Sequence, residues 1–123
     1  MRSCTPEEAG VRLARLAADH DFTLYEHFIT DILGHRQDRD STREHVLSLT
    51  RFVRAVIDEA NLSRQTIVVT SDHGNIEDTR TRSHTLNPVA TLVFGHARNY
   101  IAERVRALTD ITPSIVEVLG ATG

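Results

Sequence analysis

Hydrophobic positions along this chain follow helical spacing in some stretches and strand spacing in others. The first helical stretch opens on Thr5, Pro6 and Glu8: a cap, a proline at the first helical position and an acid placed to reach back. Val11, Leu13, Leu16 and Ala17 then predict a buried stripe that ends before His20. Phe22, Leu24 and Phe28 alternate with Tyr25, His27 and Ile29, which predicts a strand over 22–30. Ser41 and Glu44 read as a second capping box. Behind it Val46, Leu49, Val53, Val56 and Ala60 recur at helical spacing, so a helix is predicted over 42–60. Ile67, Val68 and Val69 form an unbroken β-branched run, the pattern of a central strand buried on both faces. A third strand is predicted over 89–94, stopped by Gly95, and a helix over 97–108 through Ile101, Val105 and Leu108. The last helix starts around Asp110, Thr112 and Pro113, turns Ile115, Val116 and Leu119 inward and ends at Gly120. Helices interleaved with strands in this order predict an α/β fold with a mostly parallel sheet.

Composition narrows the class. A length of 123 residues without repeat or linker suits a single domain over 1–123. With 14 basic and 17 acidic residues the formal charge is -3, so there is no electrostatic footprint for nucleic acid. At 40% hydrophobic and 25% charged residues the chain reads as a globular protein, with no run long enough for a membrane span. The start, from Met1 to Thr5, has no apolar signal segment, and Cys4 is the single cysteine. Both features lead to the expectation of a reducing cytoplasm, with Cys4 an incidental thiol.

Candidate chemistry concentrates after predicted strands. Asp72 and His73 follow the Ile67–Val69 run, at the edge where open α/β sheets hold ligands, and His84 comes eleven residues later. Asp31 and His35 follow the predicted 22–30 strand. Carboxylates mixed with imidazoles suit Zn²⁺, Mn²⁺ or Fe²⁺ better than Ca²⁺. His20, His27, His45 and His96 lack such a setting and read as surface or helix-end residues. Asn75 and Asn87 read as turn formers. Arg36, Arg39, Arg80 and Arg82 read as solvated loop residues, with contact to a substrate phosphate as the alternative.

The run Thr70, Ser71, Asp72, His73, Gly74, Asn75, followed by His84, Thr85, Asn87 and Pro88, resembles the carboxyl-terminal metal segment of the alkaline phosphatase superfamily. The nearest branch is the metalloenzyme group of cofactor-independent phosphoglycerate mutase and phosphopentomutase. The stretch from Tyr25 to His35 resembles the group's upstream ligand segment, and that from Leu108 to Gly120 its closing helix. The resemblance implies part of a three-layer sandwich, a short and mostly parallel sheet flanked by helices. It implies that Asp31, His35 and His84 ligate one divalent ion, and that Asp72 and His73 belong to a second. Ser83 and Thr85 become candidates for orienting His84. Two ions about 3.5–4 Å apart, with Mn or Zn expected, would clamp a phosphoryl group during in-line transfer. The substrate it implies is a phosphorylated small molecule.

The family also uses an amino-terminal strand ending in Asp and a Ser or Thr nucleophile, and neither has a counterpart before Phe22. Ser71 adjoins the ligands but does not match the nucleophile segment. The chain is therefore expected to be the metal-binding part of a phosphomutase or phosphatase, incomplete alone and holding one ion where the family holds two. An amino-terminal half or a homo-oligomer is the expected partner, because a sheet without its neighbours exposes an apolar edge. Two alternatives stand beside this. One is a non-catalytic metal-binding or partner-binding module; the other is a hydrolase using a metal-activated water at Asp31, His35 and His84.

Overall fold

A computed structural model describes residues 4–121; residues 1–3, part of the stretch read for a signal segment, lie outside it. α1 (Pro6–Ala17) is capped as its sequence predicts. Thr5 Oγ1 accepts from the Glu8 amide at 3.1 Å, and the Glu8 carboxylate accepts from the Thr5 amide at 3.0 Å. Its buried seam differs from the predicted one. Gly10 and Ala14 lie buried against the helix that follows in space, and Leu16 faces solvent. A Cβ at Gly10 would collide with the Phe52 carbonyl, so two small residues a turn apart set how closely the helices approach.

That second helix, α3 (Arg39–Glu59), starts three residues before the predicted position. Asp38 is its cap, taking the Ser41 amide at 3.1 Å and the Ser41 hydroxyl at 2.6 Å, so the Ser41–Glu44 box is not used. A carboxylate is the stronger acceptor at a helix start, where the dipole also favours its charge. None of the 21 residues of α3 is fully buried. Between α1 and α3 runs α2 (Ile29–Arg36), closed by Gln37 in the left-handed region at φ 57°.

The segment before α2 corrects the predicted 22–30 strand. Residues 22–28 form neither strand nor helix and pair with no strand; Phe28 already has helical backbone (φ -91°, ψ -14°), and the helix begins at Ile29. Their inward side docks on α3: the Tyr25 ring lies 5.1 Å from Phe52, and His27 Nε2 meets His45 Nε2 at 2.7 Å. The His27 and His45 ring centroids are 4.9 Å apart with planes 11° from parallel. That separation is the nitrogen–nitrogen distance plus a ring radius at each end, so the rings meet edge to edge in nearly one plane. This is a head-on N–H···N bond, which holds one shared proton comfortably and two protons badly.

β1 (Thr66–Val69) and β2 (Leu92–Gly95) form a two-stranded sheet. They run antiparallel, Thr66 opposite Gly95 and Val69 opposite Leu92, which corrects the expected parallel arrangement. The cause lies in the connection. Residues 70–91 contain no helix and fold back through an antiparallel bridge between Gly74 and Thr85, whereas a parallel neighbour needs a crossover, usually helical. Each β1 residue is half-buried, because β1 has one neighbour and not two. α4 (Arg98–Arg104) follows, shorter than predicted, and buries Ile101. A single 3₁₀ turn (Leu108–Asp110) leads into α5 (Ile111–Ala121), which runs past Gly120 and leaves Val116 largely exposed.

The described elements make a mixed α/β structure with a thin core: Ala14, Leu33, Ala97 and Ile101 are its buried apolar residues. The accessible surface is 9085 Å², against roughly 6,600 Å² for a compact monomer of this size. No described helix is long and apolar enough to cross a membrane.

The His27–His45 bond gives this packing a pH signature. Burial first, and the neighbouring His45 second, pull the His27 pKa below 6.5. The unfolded chain then binds more protons at His27 than the folded one once pH falls below about 6.5, so stability is complete above that pH and declines beneath it. His45→Ala removes the like charge. The decline in melting temperature between pH 7.5 and 5.5 should be visibly shallower in that variant than in the parent. Equal slopes would show that the pair carries no pH dependence.

Candidate metal centre

Two elements build the site. Asp31 and His35, expected in a loop after a strand, lie on α2, and their i, i+4 spacing puts both on one helix face. The loop leaving the carboxyl end of β1 brings in His73 and His84. His84 Nε2 approaches Asp31 Oδ1 to 3.2 Å, and His35 Nε2 comes to 3.4 Å from the same oxygen. The His73 ring stacks on His84 at 3.5 Å between centroids and 15° between planes. One ligand-type atom each from Asp31, His73 and His84 falls within 4.8 Å of the others.

The backbone selects which nitrogen each ring offers. His35 Nδ1 lies 2.5 Å from the Arg82 carbonyl, and His73 Nδ1 lies 3.3 Å from that of Gly74. A carbonyl only accepts, so Nδ1 carries the proton in both rings and Nε2 keeps its lone pair. A second-sphere bond of this kind is how ligating histidines are oriented. Ions of the Zn²⁺ class sit about 2.0–2.2 Å from such atoms, which makes neighbouring ligands roughly 3–3.5 Å apart. The separations of His84 and His35 from Asp31 match that spacing, so the donor set fits a divalent cation that displaces the proton His84 Nε2 donates to Asp31 Oδ1.

Asp31 is held from behind. The Asn75 side-chain amide donates to Asp31 Oδ1 at 2.5 Å and to its backbone carbonyl at 3.2 Å. Desolvation pushes the Asp31 pKa up, but the Asn75 bond and the two imidazoles outweigh it and hold the carboxyl below its ordinary range. Asn75 is 7% exposed, and its Oδ1 is buried without a hydrogen-bond partner. The amide lies directly over Gly34, where any Cβ would overlap it. Gly34 is thus the residue that lets the loop close on α2.

Glu77, which the sequence reading passed over, shapes the loop itself. Its carboxylate accepts from the Asn75 backbone N–H at 2.6 Å, from the Asn87 side chain at 3.0 Å and from the Thr85 hydroxyl. These bonds, led by Thr85, pull its pKa to about 2. Thr85 therefore meets Glu77, whereas it was expected to orient His84. The Ser83 amide binds Thr81 Oγ1 within the loop at 3.1 Å. Asn75 is more than a turn former, since it ties this loop to Asp31. A sequence signal did exist: Asn75, Glu77, Thr85 and Asn87 are alternate polar residues on the two limbs of a folded-back loop.

The remaining predicted residues stand apart. Asp72 reaches back to its neighbour, its Oδ1 3.6 Å from His73 Nε2, while its side chain stays 84% exposed. His73 lies between the two ligand sets that the resemblance implies, stacked on His84 and 3.6 Å from Asp72. The Ser71 hydroxyl donates to the His73 carbonyl at 2.8 Å. Arg80 pairs with Asp78 at 2.7 Å, Arg82 binds Gln37 and Arg39 binds Thr79, which ties the loop to the end of α2.

Glu77 gives this loop a testable weakness. Because its folded pKa is far below 4.5, the stability it contributes is present above pH 4.5 and is lost as pH falls from there toward 2. At neutral pH, Glu77→Gln weakens the acceptor of three hydrogen bonds. The loop should then open roughly tenfold more often, the scale expected when charge-assisted bonds to one carboxylate are lost. Trypsin cleavage after Arg80 or Arg82 measures this. Unchanged cleavage rates in the variant would mean that Glu77 does not hold the loop.

The profile of the Metalloenzyme superfamily matches residues 8–122. Similar proteins include 2,3-bisphosphoglycerate-independent phosphoglycerate mutases of three bacteria. That of Wolinella succinogenes is 26% identical over 121 residues, covering 94% of this chain and 24% of that enzyme. That of Ehrlichia canis is 28% identical over 96 residues, with 72% and 19% covered. That of Desulforudis audaxviator is 27% identical over 107 residues, with 82% and 21% covered. The chain thus spans about a quarter or less of the length of these relatives. No solved structure gives a significant match. A match over nearly the whole chain, on a carboxylate and imidazoles converging from two elements, means that the chain belongs to the Metalloenzyme superfamily.

Proposed function

We propose that the chain is the divalent-metal-binding part of a phosphoryl-transfer enzyme of the phosphomutase or phosphatase type. The observation that carries this is the convergence of Asp31, His73 and His84, with His35 beside them. Asp31 Oδ1 and the Nε2 atoms of His84, His35 and His73 would hold one ion, Mn²⁺ or Zn²⁺ by donor type. The ion, when bound, supplies positive charge to the oxygens of a transferring phosphoryl group. Asn75 keeps Asp31 aimed and ionised, while the Arg82 and Gly74 carbonyls keep His35 and His73 in the tautomer that exposes Nε2. Asp72, 84% exposed and 3.6 Å from His73 Nε2, would join a second ion whose other ligands come from outside this chain.

The substrate in this reading is a phosphorylated small molecule, in line with the names of the relatives. The nucleophile comes from an amino-terminal portion, which completes a three-layer sandwich around these elements. The reducing cytoplasm suits an exposed, free Cys4.

Metal content after equilibration with Mn²⁺ or Zn²⁺ and removal of free ion tests the site without an activity assay. About one equivalent is expected for the parent chain. His84→Ala removes a central ligand and should lower affinity at least tenfold, in line with the cost of losing even an outer-sphere partner. Retention of metal by His84→Ala at parental affinity would place the ion elsewhere and remove the basis of the proposal.

A further inference from the structure

A second group of ligand-type side chains lies where the segment before α2 meets α1 and α3. His27 and His45 face each other Nε2 to Nε2 at 2.7 Å, with their rings 11° from parallel. Their lone-pair directions therefore meet at one spot, where the pair holds a single shared proton. No hydrogen bond holds either Nδ1 among the described residues. Both rings face a cavity of about 180 Å³, room for roughly six waters, and Cys4 stands on its wall. Tyr25, Leu49 and Phe52 also line it, and no carboxylate does. The Cys4 thiol is free and exposed. None of these residues belongs to the centre built on Asp31, His73 and His84.

We propose that His27, His45 and Cys4 form a second metal site, one that takes a soft monovalent ion of the Cu⁺ class. Two imidazoles and a thiolate are a donor set that copper accepts in trigonal geometry, whereas the carboxylate of the first site suits harder divalent ions. Charge argues the same way. Cu⁺ and one thiolate cancel, while a divalent ion would keep a positive charge against largely apolar walls. The protons balance: the thiol hydrogen leaves to solvent, and the ring that carried hydrogen on Nε2 carries it on Nδ1. The three donor atoms do not lie within 4.8 Å of one another as those of the first site do, and two small movements close the gap. Nitrogens held about 2.0–2.1 Å from one trigonal ion are roughly 3.5 Å apart, so the rings part by a little under 1 Å. Residues 22–27 can yield by that much, because side chains and not backbone bonds hold them to α3. Exposed Cys4 needs only to turn about its single side-chain torsion. An ion bound here would fasten the start of α1 and the 22–27 segment to α3. It shares no ligand with the first site, so either can fail without the other.

The probe is Cu⁺ itself, kept reduced by ascorbate without oxygen and competed against a coloured Cu⁺ chelator. All samples carry His84→Ala, which takes a central ligand from the first site and leaves the second intact. That chain should hold one equivalent of Cu⁺. Adding Cys4→Ser, His27→Gln or His45→Gln should each lower the affinity at least tenfold, the scale of a lost ligand or of its closest support. Cys4 is exposed, so Cys4→Ser leaves the packing unchanged, and circular dichroism checks the helices of the glutamine variants. X-ray absorption at the copper edge, on the loaded chain without the added changes, should show one sulfur together with two imidazoles. No uptake of Cu⁺ would overturn the site. So would uptake that Cys4→Ser leaves unchanged, or uptake that only Cys4→Ser removes, since the latter is a lone thiol. A copper spectrum lacking sulfur or with fewer than two imidazoles overturns it even where a glutamine variant unfolds. None of these results touches the first site, whose test rests on Mn²⁺ or Zn²⁺ and on His84.

Discussion

The contact on which the site depends is the one between the Asn75 amide and Asp31. It joins two stretches 44 residues apart, a short helix and a loop with little regular structure of its own. One side chain donates to both the carboxylate and the backbone carbonyl of the same residue, so it fixes where Asp31 sits and favours its charged form. Gly34 makes the approach possible by leaving room over α2. Glu77 makes it stable by gathering Asn75, Thr85 and Asn87 around one carboxylate. Removing any of these would leave the loop tied to α2 through the bonds of His35 and Gln37 to Arg82 and Thr79, and Asp31 without the group that aims it at His84.

Around that site the rest of the chain is thinly packed. A helix of 21 residues with none fully buried, and a central β-branched strand with a single neighbour, are elements shaped for more contacts than they make. The hydrophobic effect scales with the area removed from water, so the large residual surface is stabilisation not yet collected. Polar bonds and caps hold the site locally, while much of the apolar burial these elements are suited to lies in surfaces still to be covered. This division fits a chain that corresponds to about a quarter or less of its relatives.

Much of this was legible in the sequence where the cause is local. The Thr5–Glu8 box, the Ile67–Val69 run and the helix over most of residues 42–60 depend on neighbours within a few positions, and each is found. Reading failed where a distant partner decides. The 22–30 pattern suits a strand, but a strand needs a neighbour, and from Ile29 the chain takes up helix. Sheet direction failed for the same reason, because it was set by how the 70–91 loop folds back. For the site, ligand-type residues could be named from their chemistry, and they lie in one neighbourhood, four around Asp31 and His84 and Asp72 through its contact with His73. The alternating polar residues Asn75, Glu77, Thr85 and Asn87 were visible, but not which of them would reach Asp31, since that depends on which side of the loop faces α2.

The central claim is that one divalent ion is held by a carboxylate and imidazoles drawn from both α2 and the 70–91 loop. X-ray absorption at the zinc edge, on the chain loaded with one equivalent of Zn²⁺, tests it most directly. The account predicts nitrogen and oxygen ligands at about 2.0–2.2 Å, with the outer-shell scattering of at least two imidazoles. A spectrum with one imidazole or none, or with sulfur from Cys4 at about 2.3 Å, would contradict it.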